Sequence, residues 1–124
     1  MDLSKSIEEI KSSALPNIYM EKLIFDLEEI AKSSIEDIIA IILFGSVARN
    51  EIKATSDIDL MVITKEKVKR LQRGEIASIL DDIRKGVSTD VVFFTEEEFL
   101  SSTSVLIREV RTDGILLWGM VTGG

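Results

Sequence analysis

Three short stretches of this sequence hold residues that could do chemistry together: Gly45-Ser46, Asp57-Ile58-Asp59 and Asp90. The chain has no His and no Cys. That excludes an imidazole base, a Ser-His-Asp triad, a thiol nucleophile, a disulfide and any zinc site built on those side chains. Acid–base work must rest on carboxylates, hydroxyls, amines, backbone amides or an oxygen-ligated metal. Singly, an Asp-x-Asp pair or a Gly-Ser turn says little, because both are common as solvated strand ends and turns. Together they say more. Residues two apart on a strand project to one face, so Asp57 and Asp59 point the same way. If the strand that starts at Asp90 lies alongside, its carboxylate reaches the same point. Carboxylates gathered in this way repel and raise one another's pKa. A hard divalent cation such as Mg²⁺ compensates, taking oxygen ligands from one or two carboxylates and from substrate phosphates. Two such ions would align an attacking oxygen, polarise a phosphorus and neutralise a departing pyrophosphate. Gly45 permits close backbone approach, and amides opening a short helix after it point at an anion. The Ser46 hydroxyl adds a further donor. Metal on one side and an anion cradle on the other describe a nucleoside triphosphate site.

The elements that must position these residues are legible from periodicity. Ser4 to Ala14 carries Ile7, Ile10 and Ala14 at helical spacing, and Pro16 punctuates it. A second helix follows, with Met20, Leu23, Ile24, Leu27, Ile30 and Ala31 on its apolar stripe. Glu21, Lys22, Glu28, Glu29 and Lys32 fall on the other face and read as solvated. Ile38 to Phe44 is an unbroken β-branched and aromatic run, the pattern of a strand buried on both faces, ended by Gly45. A short helical piece (Ser46 to Glu51) leads to a second strand from Asp57 to Ile63. The basic run Lys65 to Arg73 reads as a solvated lead into a third helix, with Ile76, Ile79, Leu80 and Ile83 inward and Gly86 as its C-cap. Asp90 to Phe94 is the third strand, and Thr95 with Glu98 is a capping box for a fourth helix. Ile115 to Trp118 is a short last strand. Ser56 most simply orients Asp57 or caps its strand, and Tyr19 and Trp118 read as packing residues.

Composition bounds the rest. With 124 residues, 45% of them hydrophobic, the chain suits one globular α/β domain: N-terminal helices over 1–34 and a core over 38–118 with a small mixed sheet of about four strands. No apolar stretch approaches the ~18 residues of a membrane span, and no signal peptide is evident, so a cytoplasmic location is expected. A net charge of −7 argues against direct nucleic-acid binding.

The spacing of Gly45-Ser46, ten residues, then Asp57-Ile58-Asp59 resembles the G-S-x10-D-x-D signature of minimal nucleotidyltransferases, within the DNA polymerase beta-like superfamily. The fuller strings Leu43-Phe44-Gly45-Ser46-Val47-Ala48-Arg49 and Ser56-Asp57-Ile58-Asp59-Leu60 match the same pattern. Asn50 departs from it, standing where the family usually has Gly, though Asn is the residue that best tolerates a left-handed backbone after Gly. The resemblance implies the nucleotidyltransferase fold and two Mg²⁺ ions held by Asp57 and Asp59, with Asp90 completing one shell and drawing the proton from an acceptor hydroxyl. It implies triphosphate binding at Gly45 and Ser46. Arg49 either reaches the phosphates or pairs with a nearby carboxylate.

Short members of that family resemble the antitoxin of a toxin–antitoxin pair whose other half is a HEPN-domain ribonuclease. The implied activity is transfer of AMP from ATP to a hydroxyl, such as a tyrosine on that toxin, in a hetero-oligomer. Without His, this chain fits only the transferase half. Two alternatives stand beside it: a non-catalytic module that neutralises a partner by contact, and a stand-alone transferase acting on a small molecule or RNA.

Overall fold

Ile38 to Phe44 contains no polar side chain, and such a strand needs cover on both faces. The computed structural model, which describes residues 1–53, 56–82 and 86–121, places it accordingly. It forms β1 (Ile38–Phe44), joined in one sheet by β2 (Ile58–Thr64), β3 (Thr89–Thr95) and β4 (Ile115–Gly119). The sheet is four-stranded and mixed, in the order β3-β2-β1-β4. β1 is antiparallel to both its neighbours, whereas β2 and β3 are parallel. Six helices complete the described chain: α1 (Ser4–Lys11), α2 (Asn17–Lys32), α3 (Gly45–Ala48), α4 (Arg70–Leu80), α5 (Glu96–Ser101) and α6 (Val105–Asp113).

Strand alternation divides the core into two layers. Ile41 and Leu43 of β1, with Ile58, Leu60 and Val62 of β2, pack under Leu23, Leu27 and Ile30 of α2 and Ile76 and Leu80 of α4. The intervening residues Ala40, Ile42 and Phe44, with Met61 and Ile63, face Phe99 of α5 and Ile107 and Val110 of α6. Among the described residues no helix is long and apolar enough to cross a membrane.

One charged group sits inside the first layer. Lys22, read from periodicity as solvated, is 1% exposed, and Asp26 one turn on is 0% exposed. The Lys22 ammonium spends its three protons on Asp26 Oδ1 (2.5 Å), the Leu80 carbonyl (2.6 Å) and Thr89 Oγ1 (2.6 Å). The Thr89 hydroxyl in turn donates to Asp26 Oδ2 at 2.5 Å. Burial pushes the Asp26 carboxyl up to about 6, against the opposing pull of Lys22 and Thr89. The network joins α2, the last turn of α4 and the first residue of β3, and it satisfies a terminal carbonyl of α4 that has no intrahelical donor. The apolar stripe of α2 is wide enough to form the helix with or without this pair, so periodicity gave no sign of it.

Several boundaries differ from those expected. α1 stops at Lys11, short of Ala14, because the Ser13 hydroxyl donates to the Ile10 carbonyl (2.6 Å) and turns the chain. β2 begins at Ile58, leaving Asp57 in the preceding loop. α4 ends at Leu80 with Asp81 as its cap residue, so the expected cap at Gly86 (φ +90°) is not where this helix ends. Ile83 lies outside the described residues, and Ile79 is 43% exposed. Arg70 and Arg73 belong to α4, and do not precede it. The expected capping box is present, Glu98 N–H reaching Thr95 Oγ1 at 3.1 Å. The helix it opens breaks after Ser101, and Ser104 caps a separate α6 through Ile107 N–H (3.3 Å).

Removing one partner from a buried, fully bonded ion pair leaves the other charge uncompensated, at a cost of about 3–5 kcal/mol. Lys22→Met is therefore expected to lower unfolding stability by about that amount in urea titration. A loss under about 1 kcal/mol would show the pair to be dispensable.

Candidate active site

Antiparallel pairing sets Phe44 opposite Asp59, so the chain leaving β1 passes beside that carboxylate. The next residue must then bend sharply away. Gly45 does so with φ +76°, and a Cβ there would overlap the Asp59 carboxylate group. Only glycine fits both the backbone conformation and the space. α3 follows as a single turn, closed by Arg49 N–H to the Gly45 carbonyl (3.2 Å) and Glu51 N–H to the Ser46 carbonyl (2.8 Å). Asn50 takes a left-handed backbone (φ +58°), a conformation that Gly at this position would also allow.

Parallel pairing of β2 and β3 sets Asp59 directly beside Asp90. Both share strand parity with residues that face α5 and α6 (Met61 and Ile63; Val92 and Phe94), so the two carboxylates lie on one face. Asp57 is outside the strand, exposed, and held by a hydrogen bond from the Ser88 hydroxyl to its Oδ1 (2.6 Å). Ser88 also accepts Ile58 N–H through its carbonyl (3.0 Å), which stitches the starts of the two strands together. The Asp59 carboxyl is pushed up to about 6, first by burial and then by the negative charges of Asp90 and Asp57. Arg49 pulls it down, and Glu109 of α6 adds to the rise. The three predicted carboxylates thus share one electrostatic field, and Glu109 joins it from an element the motif does not include.

Two assignments change. Ser56 does not orient Asp57: its hydroxyl accepts Lys53 N–H (2.8 Å), and its carbonyl accepts the Tyr19 hydroxyl (2.9 Å). Tyr19 is more than a packing residue, since it ties α2 to the loop just before Asp57. Trp118, by contrast, packs against the first layer and donates Nε1–H to the Asp2 carbonyl (3.0 Å). Arg49 is paired with Glu51 at 3.3 Å, on a part of the loop where both remain accessible. Ser88, Tyr19 and Glu109 were missed because each touches the site through a loop or helix distant in sequence, and nothing in their local pattern marks it.

The donor set suits a hard cation in kind, being carboxylate oxygens under mutual repulsion. Among the described residues no group of three or more acidic, His or Cys side chains is gathered tightly enough to hold a metal ion alone.

The Polymerase beta, Nucleotidyltransferase family model matches residues 26–120. Comparison with curated proteins gives no match. A solved structure described as a toxin–antitoxin with AMP-PNP is 28% identical at TM-score 0.60, over 85% of this chain and 75% of that one. A second, from Shewanella oneidensis, is a tri-AMPylated HEPN toxin in complex with its MNT antitoxin; it is 26% identical at TM-score 0.54, over 80% of this chain and 73% of that one. A minimal nucleotidyltransferase structure, 22% identical at TM-score 0.56 over 83% of this chain and 98% of that one, shares the fold.

The raised Asp59 carboxyl has a measurable signature. Its ordinary value is 3.8 and its folded value about 6, so its contribution to stability is full below pH 3.8 and is lost as pH rises through about 6. Asp59→Asn should remove that slope and stabilise the metal-free protein at pH 7.5 by about 1–2 kcal/mol, allowing for solvent screening. Millimolar Mg²⁺ should raise the melting temperature of the parent protein more than that of the variant. Parallel pH–stability curves for the two proteins would contradict this assignment.

Proposed function

The chain belongs to the Polymerase beta nucleotidyltransferase family, and on that premise we propose that it transfers AMP from ATP to a hydroxyl on a partner protein, a HEPN-domain ribonuclease toxin, and so acts as its antitoxin. The observation that carries this reading is the side-by-side placement of Asp59 and Asp90 on one face of the sheet, against a glycine turn whose missing Cβ leaves room there. The likeness to toxin–antitoxin structures, one with AMP-PNP and one with an AMPylated toxin, supports the choice of nucleotide and of partner.

In this reading Asp57 and Asp59, with Asp90 completing one shell, would hold two Mg²⁺ ions, which would offset phosphate charge and polarise the reacting phosphorus. Gly45 lets the triphosphate approach the backbone, and the Ser46 hydroxyl donates to a phosphate oxygen. Arg49 leaves its exposed Glu51 pairing to meet the phosphates, a pairing worth little in water. Asp90, exposed at the start of the outermost strand β3, meets the incoming acceptor and takes the proton of its hydroxyl. The acceptor oxygen forms its bond to the α-phosphorus as the bond from that phosphorus to the β-phosphate oxygen breaks, and pyrophosphate leaves. Ser88 and Tyr19 are positioning residues: the first holds the Asp57 carboxylate, the second the loop that carries it.

Incubation with Mg²⁺, ATP labelled at the α-phosphate and the co-produced toxin should place label on the toxin. Asp57→Asn/Asp59→Asn should abolish labelling, and Asp90→Asn should lower it by about a hundredfold or more. Full neutralisation of the toxin by the double variant, with no labelling by the parent, would instead establish contact alone as the mode of action.

A further inference from the structure

The basic run that periodicity assigned to a solvated surface ends in a groove. Arg70, Arg73 and Gly74 of α4 form one wall, Leu106 of α6 the other, and Val91 to Phe94 of β3 the floor, around a volume of about 610 Å³. β3 is the terminal strand of the sheet, so one row of its peptide N–H and C=O groups faces away from β2. Its Val-Val-Phe-Phe sequence is half-buried without a further strand beside it. Long apolar edges of this kind recruit another strand unless something blocks them. The charge on the groove's own lining is positive, from Arg70 and Arg73, while Asp90 and Glu96 to Glu98 lie at the two ends of the strand. Arg73 Nε is buried with no hydrogen-bond partner among the described residues. Glu98 lies within electrostatic reach of Arg73 but gives its carboxylate to the Thr95 cap. Gly74 adds an independent sign. It sits inside α4, where glycine weakens a helix relative to alanine, yet a Cβ there would meet nothing within 4 Å. No neighbour in the described chain requires a glycine at that wall.

We propose that this groove takes an extended, acidic segment of the acceptor protein as an added strand on β3, with its carboxylates on Arg70 and Arg73 and its backbone close to Gly74. Peptide groups of β3 would supply affinity and the arginines selectivity. A second copy of this chain fits poorly, since two-fold strand pairing would set both pairs of arginines on the same face of the joined sheet. The groove starts at Val91, one residue beyond Asp90, so a segment lying along it passes the proposed base. That last link, and the identification of the segment's owner as the acceptor, rest on the transferase reading; the docking of an acidic strand does not.

The test uses the full chain carrying Asp57→Asn/Asp59→Asn, without ATP, so that docking is measured apart from catalysis. The probe is a fluorescein-labelled peptide alternating valine with glutamate around one tyrosine, followed by anisotropy. It should bind about tenfold or more tightly than the same peptide with lysine for glutamate. Arg70→Glu/Arg73→Glu should reverse that preference, with Arg70→Glu alone reducing it if the double variant does not fold. N-methylation of alternate peptide amides should abolish binding. Gly74→Gln should raise the melting temperature while weakening binding, a combination that a purely structural glycine would not give. Equal binding of both peptides, no binding of either, or unchanged binding after N-methylation would overturn the proposal. So would a dimer, seen by sedimentation, that Gly74→Gln splits. Docking that holds while the catalytically intact chain with Mg²⁺ and ATP labels neither peptide nor toxin would leave the groove assigned and remove the transferase reading.

Discussion

Carboxylates brought to one place repel, and burial of one of them adds a desolvation cost, so nothing in their own interaction keeps Asp57, Asp59 and Asp90 together. The Asp59 carboxyl, raised to about 6, registers that opposition. What holds the three is the register of the sheet. β1 and β2 are the inner strands, covered on both faces, and a slip of one residue would exchange the side chains packed in the two layers, each of which is shaped for its own set. The same register fixes Asp59 opposite Phe44 and beside Asp90. The Lys22–Asp26–Thr89 network ties the first residue of β3 to α2 and α4, one position before Asp90. Tyr19, again from α2, holds the loop before Asp57, and Ser88 holds its carboxylate. α2 is therefore more than cover for the sheet; it carries the anchors for two of the three acidic residues.

How much of this was legible in the sequence follows from how local each feature is. β1 was readable to the residue, because seven consecutive apolar positions leave one structural option. The Thr95 cap was readable because both partners lie within one turn. Gly45, Asp59 and Asp90 were readable as a constellation, since strand alternation and a turn glycine are short-range rules. Lys22 was not: a charged residue beside an apolar stripe is normally solvated, and only the distant Leu80 carbonyl and Thr89 explain its burial. The same holds for Ser88, Tyr19 and Glu109, whose roles depend on elements that meet only in the folded chain. The break between α5 and α6 is marked in the sequence by four consecutive polar residues, Ser101 to Ser104, the last of which caps α6, and a reading that stops at the Thr95 cap passes over it.

The molecule presents two unlike surfaces at neighbouring positions. At the start of β3 lies a carboxylate cluster that favours cations; along its outer edge runs an apolar floor flanked by arginines. A triphosphate with its metal ions suits the first and an acidic polypeptide the second. Their adjacency gives the net charge of −7 a local structure that composition alone does not convey. The proposed nucleotide site and the proposed acceptor groove thus fall at neighbouring positions along β3.

A crystal structure of the protein with Mn²⁺ and a non-hydrolysable ATP analogue would test the catalytic assignment most directly. The predicted result is anomalous manganese density in contact with Asp57 and Asp59, with Asp90 at one ion and the triphosphate against Gly45 and Ser46. A fully occupied nucleotide bound elsewhere, or manganese absent from these carboxylates while the nucleotide is present, would contradict it.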